Sequence, residues 1–393
     1  MTETRYPMPK YFHLRLALEN IIIEEGLQAG SRLPSEPELT RKYKVSVASV
    51  RRCLYDMVKD GVIFRKHGLG TFVKNPGKIR RGNRLGNHQT VGLIIPNITG
   101  GFFPPLAKGV EDAAHKHGYN VILCNSDDTV SKEVLYLKQL YARNVCGLVI
   151  GPGLESYRDE YIETIQDAIP IVVVDSPFLG RVEFDCVVTD DLDGAFKATN
   201  HLIELGHTRI AHIRGPQPAS TAAWREEGYR KALNNRKLPL DEDLIAAVGN
   251  AETERGYKTA RHLLGLKKRP TAIFAYNDGV ALGAILAIEE AGLDIPKDIS
   301  VVGYGDVLGN HSYVPLTTVR QPSYKMGDQA MDALQKLIEG KKSGKYRRIE
   351  LKTELVIRTT SAPSAVNGPR SGRAKKALPE KTRVTEKEPA CVK

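Results

Sequence analysis

Apolar positions recur at helical spacing through the N-terminal part of the chain. Leu14, Leu18, Ile21 and Ile22 share one face of a segment that Gly26 and Gly30 close. In LPSEPELTRKYKV, Ser35 and Glu38 have the spacing of a capping box, and Pro37 is tolerated in a first turn whose N–H groups lack intrahelical partners. Leu39 and Tyr43 face inward on that short second helix. The next run, KVSVASVRRCLYDMVKDGV (residues 44–62), has Ser46 in a capping position and an apolar stripe of Val50, Leu54, Met57 and Val58. Its other face carries Ser46, Ser49, Arg51, Arg52 and Lys59. VIFRKHGLGTFV then reads as two short β-prone runs around Gly68 and Gly70, which permit a tight tip.

From residue 90 the pattern changes. TVGLIIPN, NVILCNS, GLVIG, IVVVDS and CVVTD are continuous apolar runs of strand length, separated by amphipathic stretches such as FPPLAKGVEDAAHKHG. The series starts again with RIAHIRG, LIAAVGN, TAIFAYND and ISVVGYGD. Such runs alternating with helices predict parallel sheets covered on both faces, and two successive groups predict two doubly wound α/β subdomains. The pattern divides the chain into residues 1–75, read as a winged helix-turn-helix, 76–90 as a flexible basic linker, 91–363 as the α/β body and 364–393 as a disordered basic tail.

Charge sharpens the picture. The chain of 393 residues has a net charge of +11, unevenly spread: residues 1–90 carry +9, residues 364–393 carry +5 and the body between them −3. A basic head on a mildly acidic body points to a polyanion partner for the head alone. Five scattered cysteines with no metal-type or redox-type spacing fit a reducing compartment, and neither a signal-peptide core nor a long apolar run is present, so a cytoplasmic protein without membrane contact is expected.

Three helices, a tight connection before the third and a basic hairpin place the third helix in a DNA major groove by its N-terminal end. The groove-facing candidates are Ser46, Ala48, Ser49 and Arg51, with Arg41, Lys42, Lys44, Arg52, Arg65 and Lys66 as phosphate neighbours and His67 at the tip of the wing. A solvated basic helix face is the plainer reading of any one of these residues; the agreement of helix order, cap, hairpin and charge favours DNA. The stretch from Leu33 to Val73 resembles the GntR family of bacterial regulators, and the resemblance implies DNA contacts at Ser46, Ser49, Arg51, His67 and Gly68. Pro37 and Val47 stand where that family often has basic or polar residues, so a different operator sequence is expected.

In open parallel sheets, ligands bind beyond the C-terminal ends of the strands, so a cleft between the subdomains is the expected small-molecule site. Strand ends supply Phe102 and Phe103, Asn125 and Asp127, and Asp175 and Ser176 from the first group; Arg225, Asn277, Asp278 and Asp306 come from the second. Aromatic rings suit the apolar faces of a sugar, while Asp, Asn and Arg pair with its hydroxyls. The competing reading for Asp127, Asp175 and Asp278 is helix capping, and for the single tryptophan, Trp224, packing. Residues 91–363 resemble the LacI family sensor, of the periplasmic-binding-protein type I fold, through VGLIIPNITGGFF, HLIELGHTRIAHIRG, WREEGYRKAL, the run from Pro270 to Asp306, PLTTVRQP and TELVIRTT. This resemblance implies ligand contacts at Phe102, Asp175, Arg225, Asn277 and Gln321. Gly305 stands where the family usually has Asp, and Ala251 where it often has a stacking aromatic.

The combination of the two resembles the arabinose-repressor type of regulator, and the resemblance implies a homodimer on double-stranded operator DNA whose affinity a sugar-like effector changes. Linker ordering, rather than an inserted hinge helix, is expected to couple the two parts. A purine or sugar phosphate is the alternative effector. An α/β enzyme is the remote rival: GPGLES offers two glycines of a dinucleotide fingerprint but not the third, and no nucleophile elbow, metal pair or pyridoxal-type site is visible, so no cofactor or metal is expected. A purely sugar-binding protein would need export, which the missing signal peptide and the basic head oppose.

Overall fold

The computed structural model describes residues 10–66, 68–76, 90–153, 169–176, 184–217, 219–249, 253–307, 314–341 and 346–364. Residues 77–89 of the linker and 365–393 of the tail fall outside them, as do His67 and Ala251.

The head is α1 (Lys10–Glu24), α2 (Glu36–Tyr43), α3 (Val47–Lys59) and an antiparallel hairpin of β1 (Ile63–Lys66) and β2 (Gly70–Val73). Ser35 accepts the backbone N–H of Glu38 while the Glu38 carboxylate accepts from the Ser35 backbone at 2.7 Å, so the capping box is closed. Leu14, Leu18 and Ile22 of α1 bury against Leu39 and against Val50, Cys53, Leu54 and Met57 of α3. Val58 departs from the expected stripe. It is exposed, and Cys53 takes the place in the core. Arg15 ties α1 to the end of α3 through Asp60 at 2.7 Å.

The α/β body holds two six-stranded sheets among the described residues. The first has the order β13-β7-β6-β5-β3-β4 and is parallel throughout, built from β3 (Thr90–Ile95), β4 (Asn120–Asn125), β5 (Leu148–Ile150), β6 (Ile171–Val174), β7 (Asp185–Thr189) and β13 (Arg348–Leu351). Helices α4 (Phe103–Lys116) and α5 (Val130–Ala142) flank it. The second sheet has the order β14-β12-β11-β10-β8-β9. Its strands are β8 (Ile210–Arg214), β9 (Ile245–Ala247), β10 (Ala272–Ala275), β11 (Ser300–Gly305), β12 (Thr317–Arg320) and β14 (Glu354–Val356), with only β14 antiparallel to its neighbour. Around it lie α6 (Asp191–Glu204), α7 (Ser220–Asn235), α8 (Thr253–Leu264) and α9 (Asp278–Glu290).

The two groups of elements are not simply successive, as the sequence pattern implied. After β12 the chain returns to the first subdomain, where α10 (Ser323–Ile338) packs Met326, Ala330, Met331 and Leu334 into the core of the first sheet. It then adds β13 to that sheet before crossing again to β14. The contact of α10 with α4 is backbone-close: a Cβ on Gly327 would lie 2.0 Å from the Leu106 carbonyl oxygen, and one on Gly109 2.0 Å from that of Tyr324. Three crossovers therefore join the subdomains, at Asp190, at Gln321–Pro322 and at Lys352–Thr353. They are stitched together. Gln321 Nε2 donates to Thr189 Oγ1 at 3.0 Å, Lys352 Nζ to Asp190 Oδ2 at 2.8 Å, and the Asp190 backbone N–H to the Leu351 carbonyl at 3.0 Å.

Candidate functional site

The first site is the exposed face of the head. Ser46 caps α3, its Oγ accepting the Ser49 backbone N–H at 3.2 Å and lying 3.0 Å from the Ser49 hydroxyl. Ala48, Arg51 and Arg52 are exposed on the same helix, and Arg41 and Lys44 lie exposed just before it, Lys44 as the left-handed cap of α2. Arg65 and Lys66 extend this surface along β1, and Gly68, at φ +74°, begins the tip of the wing. So of the residues named for DNA, the structure gathers all but His67, which lies outside the described residues. Arg51 Nε reaches Glu36 at 3.0 Å and Arg65 reaches the same carboxylate at 2.5 Å, so Glu36 fixes both cations. Burial opposes the Glu36 charge, but the two guanidinium groups outweigh it and hold its carboxyl below the usual range. Two exposed features escaped the sequence reading: Arg32, whose guanidinium lies against Gly70, and Leu69 at the tip of the wing. The glycine pair flanking Leu69 was the available signal.

The second site lies where the crossovers meet. Arg225, from the second turn of α7, is 4% exposed. It donates to Asp191 Oδ1 and to the Tyr276 carbonyl, both at 2.8 Å, and its guanidinium carbon stacks 3.8 Å from the Tyr304 ring centroid and 4.7 Å from that of Tyr276. Burial works against that charge; Asp191 more than compensates and keeps the group protonated. Asp175, at the end of β6, adopts φ +68°, a left-handed backbone uncommon for any residue but glycine. Burial and the neighbouring Asp191 carboxylate push its carboxyl up to about 7, against the pull of Arg225 and a hydrogen bond from Gln321. Ser176 and Ser220 meet at 2.8 Å across the two subdomains. Phe102 and Phe103, edge to face at 5.0 Å, stand at the end of β3.

The remaining strand-end residues are engaged elsewhere, except that Asn125 Oδ1 is buried with no hydrogen-bond partner among the described residues. Asn125 and Asp127 lie at the edge strand, where Asn125 Nδ2 donates to Asp127 at 2.5 Å and Lys132 holds the other Asp127 oxygen. Asn277 caps α9 by accepting from the Val280 N–H at 2.8 Å. Asp278 is wholly buried, accepting from Thr318 and from the Val307 N–H. Asp306 accepts from Arg320 and Arg358, each at 2.7 Å. The reason lies one residue earlier: Gly305 sits at φ +128°, and the turn it allows carries Asp306 into that ion-pair cluster. Sequence reasoning missed Asp191, Tyr276 and Tyr304. Tyr276 directly follows β10, so the strand-end rule itself would have found it.

Residues 10–73 match the family described as bacterial regulatory proteins, gntR family, and residues 199–361 match the periplasmic binding protein-like domain. The chain is 33% identical over 299 residues to the HTH-type transcriptional repressor PurR of Photorhabdus laumondii, covering 75% of this chain and 85% of that one. It belongs to this family of HTH-type transcriptional regulators. The regulator is also 29% identical over 362 residues to the arabinose metabolism transcriptional repressor of Geobacillus stearothermophilus, covering 90% of this chain and 98% of that one. Its sensor superposes on a LacI family transcriptional regulator from Enterococcus faecium, solved with bound ribose, with a TM-score of 0.62 at 30% identity, over 70% of this chain and 99% of that one. The winged helix and the two parallel-sheet subdomains are thus those of a DNA-binding regulator, and among the described residues no helix is long and apolar enough to cross a membrane.

Proposed function

We propose that this regulator represses carbohydrate-utilisation genes and that a neutral sugar bound between its subdomains changes its affinity for the operator. One observation carries the effector class. Arg225 is already neutralised by Asp191, while Asp175 beside them has no cation of its own at ion-pair distance among the described residues. A phosphate would meet two carboxylates and one committed guanidinium. A polyol, by contrast, supplies hydroxyls that donate to Asp175, with an apolar face for Phe102 and Phe103. The relatives named for arabinose and solved with ribose support the same class. A purine base is the second reading, favoured by the identity to PurR.

The groove contacts proposed are those of Ser46, Ala48, Ser49 and Arg51, flanked by Arg41, Lys44, Arg52, Arg65, Lys66 and Gly68 on the phosphates. A side-by-side homodimer in the cytoplasm, bound to a two-fold operator, completes the reading. The test is thermal unfolding of the full-length protein against pentoses, hexoses, purines and sugar phosphates. A ligand at about 100 times its Kd stabilises by roughly 2.7 kcal/mol. Stabilisation by a neutral sugar that also shifts retention of operator DNA is expected; stabilisation by sugar phosphates alone would overturn the charge reasoning.

A further inference from the structure

We infer that Val47 reads the C5 methyl of a thymine, making it a specificity-determining residue of the head. The inference rests on the family reading that α3 enters the major groove. Val47 is the first helical residue of α3, and with Arg51 and Tyr55 it forms the outward face at i, i+4 and i+8. Its side chain is 45% exposed, while the opposite face of α3 is closed in the core of the head. Among the described residues nothing packs Val47 into the core. Valine is a modest helix former, and at this position it covers no part of the core.

The polar groups around it are turned to one another. Ser46 and Ser49 share a hydrogen bond at 3.0 Å, Ser46 also holds the Ser49 N–H, and Arg51 lies against Glu36. Beside these mutually paired groups the tip of α3 presents the methyls of Val47 and the adjacent Ala48. Around them stands a fence of exposed cations, Arg41, Lys44, Arg52, Arg65 and Lys66, suited to phosphates on either side of a groove. Among base edges in the major groove only thymine offers an apolar group. Valine has no donor or acceptor for guanine or adenine, and against cytosine it would leave the exocyclic amine unpaired. Its chemistry selects thymine by contact and rejects the other bases by omission.

The experiment uses the full-length protein and a duplex enriched by it from a randomised double-stranded library. Each thymine of the enriched duplex is replaced in turn by deoxyuridine, which lacks only the methyl group. We expect one position in each half-site to lose about fourfold in affinity, the value of one buried methyl. In Val47→Ala, whose helix keeps its fold because the side chain is exposed, the preference for thymine over uracil at that position should shrink. At the same position 5-methylcytosine should bind the wild type better than cytosine. Tolerance of uracil at every position would overturn the inference, as would a uracil effect that persists undiminished in Val47→Ala. A library that yields no enriched duplex would overturn the DNA reading itself, and this inference with it.

Discussion

Replacing Arg225 with methionine tests the buried cluster at the hinge. Methionine roughly fills the stem of the arginine and removes its charge, so Asp191, with a side chain 0% exposed, loses its only ion-pair partner among the described residues while Asp175 stays beside it. Breaking one side of a buried pair typically costs about 3–5 kcal/mol, because the remaining charge has no water to replace its partner. The Tyr276 carbonyl also loses a donor, and Tyr304 loses the cation on its ring. The penalty depends on pH with a definite sign. Asp175, whose carboxyl burial and Asp191 already push up to about 7, loses the opposing pull of Arg225 and titrates higher still in the folded protein than in the unfolded chain, so stability falls as pH rises from about 4 toward and beyond 7. Urea unfolding of the ligand-free protein at two pH values measures this. The double variant Arg225→Met with Asp191→Asn should recover much of the loss, since a neutral amide is far cheaper to leave buried. A single variant within about 1 kcal/mol of wild type, or a double variant no more stable than the single, would refute the account of the cluster.

Three further outcomes are expected. Gly327→Ala places a methyl group 2.0 Å from the Leu106 carbonyl oxygen, so α10 must move off α4; a loss of about 1–3 kcal/mol or more in chemical unfolding is expected, and an unchanged midpoint would contradict the close approach. Glu36→Gln releases Arg51 and Arg65, whose pairing with it is exposed and worth little to stability; nonspecific DNA affinity should rise and its salt dependence steepen by about one counterion, and an unaltered salt slope would count against the clamp. Asp175 titrates near 7, raised from 3.8, so binding of a neutral sugar should strengthen as pH rises through that value, because only the ionised carboxylate accepts from two hydroxyls at once. The same shift makes its charge a cost to the ligand-free fold that grows over that range, so Asp175→Asn should flatten the binding profile and stabilise the empty protein above pH 7; identical profiles would exclude Asp175 from the site.

The head was almost wholly legible because its signals are local. Capping box, cap serine and glycine tip each act within a few residues, and the one error, Val58, follows from geometry: at 3.6 residues per turn it lies about 80° from Val50, at the rim of the stripe, whereas Cys53 lies about 60° away on the other side. The strands of the sensor were legible as apolar runs. Which sheet each joins was not. Met326, Ala330, Met331 and Leu334 make α10 look like any amphipathic sensor helix, and its return to the first subdomain is decided by Gly109 and Gly327, which allow contact with α4 across more than two hundred residues of sequence. At the buried cluster, the strand-end rule found Asp175 and Arg225 but not that Asp191 would claim the guanidinium first. Nor did it separate them from Asn277 and Asp127, whose side chains serve local structure.

The position of the cluster constrains what any effector must do. Asp175 directly follows β6 of the first subdomain and Arg225 stands on α7 of the second, while Gln321 belongs to a crossover and Thr189 ends β7 just before another. Thr189 Oγ1 also donates to Asp191 at 3.2 Å, so the partner of Arg225 is bonded to the hinge. Moving a two-state sensor from 1:99 to 99:1 takes about 5.5 kcal/mol of differential affinity, and a hydrogen bond to a charged group contributes roughly 1.5–3 kcal/mol. Two to four such contacts, made in one arrangement and not the other, are therefore enough. Contacts to one subdomain alone persist in both arrangements and shift nothing, however tight the binding. The proposed effector must span from Asp175 to the Arg225 side of the cleft, and a sugar analogue that keeps its Asp175-facing hydroxyls but lacks those on the opposite edge should bind the regulator without moving it on its operator.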